Sequence, residues 1–153
     1  MAEDRVERSK LFIPAMAPVY ERLAPFSYSF MRFCTGAILV PHGVQKLMNS
    51  WWLKGAGSIA AKGLPFPEVL AYLTVFSESA AAICLALGLF TRIAAATIAI
   101  QMAVIVFYFQ WQYGYFWTQR GVEFALLWCL LCIAIFFRGG GRYSLDRLIG
   151  REF

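Results

Sequence analysis

Four nearly uncharged apolar stretches, at about residues 26–48, 68–90, 93–112 and 121–137, leave this chain few ways to fold. A bilayer core is crossed by roughly 20 apolar residues in an α-helix. In hydrocarbon every backbone N–H and C=O must bond within the protein, so such a run is helical. The rest of the chain agrees. Of 153 residues, 60% are hydrophobic and 15% charged, and the mean hydropathy is +0.60, well outside the range of a soluble domain. The expected fold is all-α, a polytopic membrane protein whose four transmembrane helices form an up-down bundle.

The net charge of +5 invites a nucleic-acid partner, but the basic residues form no single patch. Membrane topology explains them better. With four spans, the side holding both termini carries ten Lys and Arg and the other side four (Lys46, Lys54, Lys62 and Arg120), which accounts for all fourteen. The positive-inside rule then places both termini in the cytoplasm.

Three parts flank or join the spans. Residues 1–25 read as an interfacial arm in which Pro14, Pro18 and Pro25 break any long helix. Its opening, MAEDRVERSK, is mixed in charge and is not a secretory signal. The connector 50–67 holds Trp51 and Trp52 as interfacial anchors, then a glycine-rich stretch too short to span. It reads as a re-entrant or surface segment with a loose helical turn. Residues 139–153 open with three glycines that stop the last helix. There Ser144 is placed to cap a short amphipathic helix bearing Leu145, Leu148 and Ile149.

The chemistry concentrates in the run GAILVPHGVQKLM, 36–48. Pro41 predicts a kink just before His42, the single histidine. Lys46 follows four residues later, so a helix projects both from one face, with Gln45 beside them. Ionisable groups in hydrocarbon cost a few kcal/mol each and turn toward protein or water. Three further groups are candidates to answer them. Glu78 lies mid-way along the second span among small residues, and Glu123 opens the fourth. Gln101 belongs to a stripe on the third span with Thr97, Tyr108 and Gln112.

Several of these motifs together resemble the DoxX family of small bacterial membrane proteins. They are HGVQK at 42–46, Glu78, the turn LALGLFTR at 85–92, Glu123 and the glycine-rich tail ending RYSLD at 142–146. The likeness runs from about Phe30 to Ile149. It implies a four-helix protein of the bacterial inner membrane. The family name comes from a subunit linked to a terminal quinol oxidase; relatives called DoxD belong to a thiosulfate:quinone oxidoreductase, and others are membrane parts of oxidative-stress assemblies. The resemblance therefore implies a subunit of a membrane redox complex, with a protein partner and quinone as ligand.

A quinone needs an apolar slot and hydrogen-bond donors for its carbonyls. His42, Gln45, Lys46, Glu78, Gln101 and Glu123 are the candidates to bind it or relay its protons. The structural alternative is that these groups only neutralise one another and pin helix register, in a scaffold that docks a partner enzyme. An intrinsic cofactor is not expected. One histidine cannot give bis-histidine haem ligation, and the cysteines at 34, 84, 129 and 132 lack iron–sulfur spacing. No metal site is expected either. Those cysteines lie in apolar runs as packing residues, and Cys129 and Cys132 are poorly placed for thiol–quinone exchange because apolar surroundings disfavour the thiolate.

Overall fold

The computed structural model describes residues 10–151, which are helical with no strand. The first helix is α1 (Ala17–Ala37), entered through a 3-10 turn at Pro14–Met16. The expected proline break does not occur. Pro18 sits in the first turn, where no donor is needed, and Pro25 lies inside α1 at the cost of one backbone bond. The helix thus begins at Ala17 rather than near Phe26. Of the arm expected at 1–25, residues 1–9 lie outside the described region.

The kink expected before His42 is present. α1 ends at Ala37 and α2 (Val40–Met48) starts with Pro41 in its first turn. Ser50, in left-handed conformation, then turns the chain into α3 (Trp51–Ala60). The connector is more regular than expected: α3 is a ten-residue helix packed along α4, with Ile59 buried against its neighbours.

The second apolar stretch forms α4 (Pro67–Phe76), a π-helical turn at Ser77–Ala81 and α5 (Ala82–Leu87). The third forms α6 (Thr91–Val104), a π-helical turn at Ile105–Gln110 and a short 3-10 turn. With α1–α2 these make three helical stretches long and apolar enough to cross a membrane: Pro14–Met48, Pro67–Leu87 and Thr91–Tyr113. α7 (Glu123–Arg138) has 16 residues, about 24 Å at 1.5 Å per residue. Residues such as Leu130 (56% exposed) and Phe137 (73%) face outward from this bundle, an exterior suited to lipid and not to water.

Consecutive long helices run antiparallel. Gly36 on α1 packs on Ala82 and Ala86, and Gly43 on α2 packs on Glu78. Arg92 Nη1, at the start of α6, donates to the carbonyls of Phe136 (2.6 Å) and Phe137 (2.9 Å) near the end of α7. Trp128 Nε1 on α7 donates to Thr35 O on α1 at 3.0 Å, closing the ring. Small residues permit these approaches: Ala82, Ala94 and Ala95 surround Leu85, Ile98 and Ile135 in the core.

The tail is locked to the turn between α5 and α6. Ser144 Oγ accepts from Arg147 N at 3.2 Å and caps α8 (Leu145–Ile149), as expected. The neighbouring Asp146 is 2% exposed. Its carboxylate accepts from Phe90 N (2.7 Å), Thr91 N (2.9 Å) and Thr91 Oγ1 (2.6 Å). It thereby caps α6 and holds Phe90 in a left-handed conformation, φ +47°, unusual for a bulky residue. Arg32 on α1, also 2% exposed, donates to Leu85 O (3.0 Å) and Tyr143 O (2.8 Å). Gly88 (φ +71°) must lack a side chain, because a Cβ there would strike the Arg32 guanidinium. The LGLFTR and RYSLD motifs are two halves of one contact.

Candidate functional site

Glu78 is the charge around which the polar groups gather. It lies in the π-helical turn of the second apolar helix and is 2% exposed. An isolated carboxylate in such a place costs several kcal/mol, and the fold answers it twice. Lys46 Nζ forms an ion pair with Oε2, and Gln101 Nε2 donates to Oε1 at 2.6 Å. Turns of π-helix inside α-helices occur often at functional sites.

Local sequence explains how Lys46 arrives there. Leu39, Gly43 and Lys46 form an i, i+4, i+7 row on α2. Leu39 and Gly43 are buried, and a side chain at Gly43 would run into the backbone carbonyl of Glu78 itself. That close approach brings Lys46, one turn later, onto the carboxylate. Its ammonium also stands 5.8 Å from the centre of the Trp51 ring, which draws α3 into the site. The lysine side chain remains 22% exposed while that of Glu78 is 3% exposed.

Three of the six expected residues therefore meet: Lys46, Glu78 and Gln101. The other three stand apart. His42 belongs to the row beside Leu39–Gly43–Lys46 and is exposed. Among the described residues its side chain has no hydrogen bond or ion pair; it lies one turn before Lys46 but on the side of it opposite Gly43, at the exposed edge of that face. Gln45 is exposed next to Val44. Glu123 accepts from Trp117 N at 3.1 Å and braces the loop that precedes α7.

A half-open cleft of about 580 Å³ lies over the Lys46–Gln101 side of this cluster, between α3, α4 and α6. Leu70, Leu73, Ile100, Ile105 and Phe109 make it largely apolar, and Lys46, Trp51, Gln101 and Gln110 bring polar groups to it. The size lies within the range of about 300–1,000 Å³ typical of small-molecule sites. Three residues of its wall each carry a side-chain atom that is buried without a hydrogen-bond partner among the described residues: Trp51 Nε1, Gln101 Oε1 and Gln110 Oε1.

The polar stripe expected on the third span holds only in part. Thr97 and Gln101 line the cleft, but Tyr108 and Gln112 are exposed and Gln110 takes their place. The π-helical turn at 105–110 accommodates an extra residue and rotates the chain beyond it. A strict 3.6-residue period could not find Gln110. Trp51 reads from the sequence as an interfacial aromatic, and packing makes it a wall of the cleft as well.

The cysteines pack as expected. Cys129 and Cys132 are buried, all four thiols are free, and Cys129 Sγ donates to Ala99 O at 3.5 Å. Among the described residues no three His, Cys, Asp or Glu side chains gather closely enough to hold a metal ion.

The sequence profile of the DoxX family matches residues 28–111, which include Lys46, Glu78, Gln101 and the whole cleft wall. A Haemophilus influenzae protein described as uncharacterized is 30% identical over 129 residues, covering 82% of this chain and 92% of that one. No solved structure matches the chain. On the extent of the profile match and the outward-facing apolar helices, this chain is a membrane protein of the DoxX family.

Proposed function

We propose that this protein is a subunit of a membrane redox assembly and that its cleft receives a quinone or quinol ring. The observation that carries this reading is the apolar cleft floored by the Lys46–Glu78–Gln101 cluster. The aliphatic and aromatic walls suit a ring and its tail. Lys46 is the donor placed to meet a ring oxygen, and Glu78 is the buried group able to take or release a proton. His42, Gln45 and Glu123 stay outside this role. The electrons come from a partner protein or from the quinol itself.

Four membrane spans belong to the same reading, with α7 as the fourth. It is short for the bilayer core, a mismatch relieved by local thinning or by flanking residues that reach for the interface. The Lys and Arg distribution puts both termini on the cytoplasmic side of the inner membrane.

A second reading has its own support. Both carboxylate oxygens of Glu78 are already engaged, and Gly43 presses α2 against the same turn. A cluster so arranged would pin helix register in a scaffold that docks an enzyme. Purification in mild detergent with extraction of bound quinones separates the two. Quinone retained by wild type and His42→Ala but lost in folded Glu78→Gln supports the ligand site. No quinone in any sample, with Glu78→Gln lowering only the melting temperature, leaves the scaffold.

A further inference from the structure

We infer that the ligand of this cleft is dissolved in the membrane: its head sits by Lys46, and its long apolar tail leaves sideways, between α4 and α6, into the bilayer. The nature of the head rests on the cleft being a ring site, as proposed above. The sideways exit for the tail adds the class of ligand, a long-tailed ring held in lipid and not one carried in water.

The opening follows from how the helices pack. α6 packs against the π-helical turn at Ser77–Ala81 and against α5, whereas α4 packs along α3 and has little contact with α6. The two apolar helices therefore come together at the turn and part along α4. The cleft lies in that gap, with Leu70, Leu73 and Thr74 on the α4 side and Thr97, Ile100 and Gln101 on the α6 side. On the opposite flank α3 closes it with Trp51 and the buried Ile59.

Two exposed side chains form the lips of the gap. Leu73 is 49% exposed and Ile100 67%, and both belong to the cleft wall. They lie inside the apolar stretches Pro67–Leu87 and Thr91–Tyr113, Ile100 near the middle of its 23 residues. A side chain exposed at mid-span faces acyl chains and not headgroups or water. The hydroxyls beside the lips are those of Thr74 and Thr97. Each donates at 2.8 Å to the carbonyl four residues back on its own helix, Leu70 O and Ile93 O. With those donors engaged, the gap presents mainly methyl and methylene groups. An alkyl chain passes from lipid into it without losing apolar contact, whereas water finds few partners there.

The test compares two probes with one quinone ring, bearing either a decyl tail or a single methyl group, at equilibrium with the full chain in lipid nanodiscs. The double variant Leu73→Trp/Ile100→Trp places bulk at the two exposed lips. It should bind the decyl probe at least about tenfold more weakly than wild type does, and the methyl probe within about twofold. Each ratio compares one probe in one bilayer, so the unequal partitioning of the two probes cancels. Ser58→Trp, at an exposed position on the α3 side of the cleft, should leave both probes within about twofold of wild type. A decyl probe ending in a diazirine needs no variant: photolysed on wild type, it should label lipid or the outward faces of α4 and α6. Labelling confined to α3 overturns the sideways exit. So do equal losses of both probes in the lip variant, no loss of either, a decyl loss confined to Ser58→Trp, or a wild type that binds only the methyl probe. Each of these leaves the cleft a ring site. Binding of neither probe to wild type overturns the ring site and this inference with it.

Discussion

The Lys46–Glu78 pair allows a prediction whose size is set by the burial of its two ends. Lys46→Met takes the ammonium away from a carboxylate whose side chain is 3% exposed. One hydrogen bond from Gln101 then remains to it. Breaking a buried pair from one side costs about 3–5 kcal/mol, because the remaining charge is uncompensated. Glu78→Gln leaves the other end, and that end is different. Lys46 is 22% exposed on a flexible stem and can turn its charge toward the cleft mouth. The shape of Gln also preserves a contact with Gln101. We expect a smaller loss here, about 1–3 kcal/mol. The double variant removes both charges together, and replacing an ion pair by neutral groups is often close to neutral. It should lie within about 2 kcal/mol of wild type, below the sum of the single losses by at least about 2 kcal/mol. In a chain of this size 1 kcal/mol moves the midpoint by about 2–4 °C. Lys46→Met should therefore melt roughly 6–20 °C below wild type, with much of that regained on adding Glu78→Gln. Thermal melts of the four proteins in the same nanodiscs decide it. Additive losses, or a Lys46→Met midpoint within error of wild type, would refute the placement of the pair.

Other parts of the fold give three more expectations. Gly43→Ala drives a methyl group into the backbone of Glu78, and overpacking of this kind costs about 1–3 kcal/mol. A lowered melting midpoint together with lost ring binding checks it, whereas an unchanged protein would show that α2 does not press on that turn. Asp146→Ala leaves two backbone donors, Phe90 N and Thr91 N, without their acceptor. A loss of about 2–5 kcal/mol should appear as a lower midpoint and faster proteolysis of the tail, and Asp146→Asn should lose less because one acceptor oxygen remains. For topology, a fluorescent protein fused after Phe153 should fluoresce and an alkaline phosphatase fused there should be inactive; the opposite result would reverse the orientation drawn from the Lys and Arg distribution.

Much of the architecture is legible in the chain because the bilayer makes the demands local. Apolar runs must be helical, Pro41 must interrupt the first of them, and Gly139 must end the last long one; each is dictated by a residue's own backbone chemistry. The Ser144 cap is equally local, since Ser144 and Arg147 are three residues apart. Departures arise where an effect depends on partners. Pro25 reads as a breaker, yet one missing hydrogen bond is too small a loss to end a helix whose other turns pack along the bundle. The glycine-rich middle of the 50–67 connector reads as loose, yet α4 offers it a surface and α3 runs through it to Ala60.

The order of residues is enough to set the class of this protein, the positions of its apolar helices and the short set of polar residues from which any site must be built. Which of them meet is settled by packing. His42 and Lys46 are four residues apart, but only Lys46 shares the row of α2 that Gly43 seats against Glu78. Gln110 enters the cleft and Tyr108 leaves it because a π-helical turn rotates the register between them. Arg32 reads as one more cytoplasmic charge, and Asp146 as part of a polar tail. Packing buries them together at the turn between α5 and α6. The first and last of these cases share one reason. Periodicity assigns a side chain to a face within its own helix, whereas which face is buried depends on neighbours more than twenty residues away in the chain.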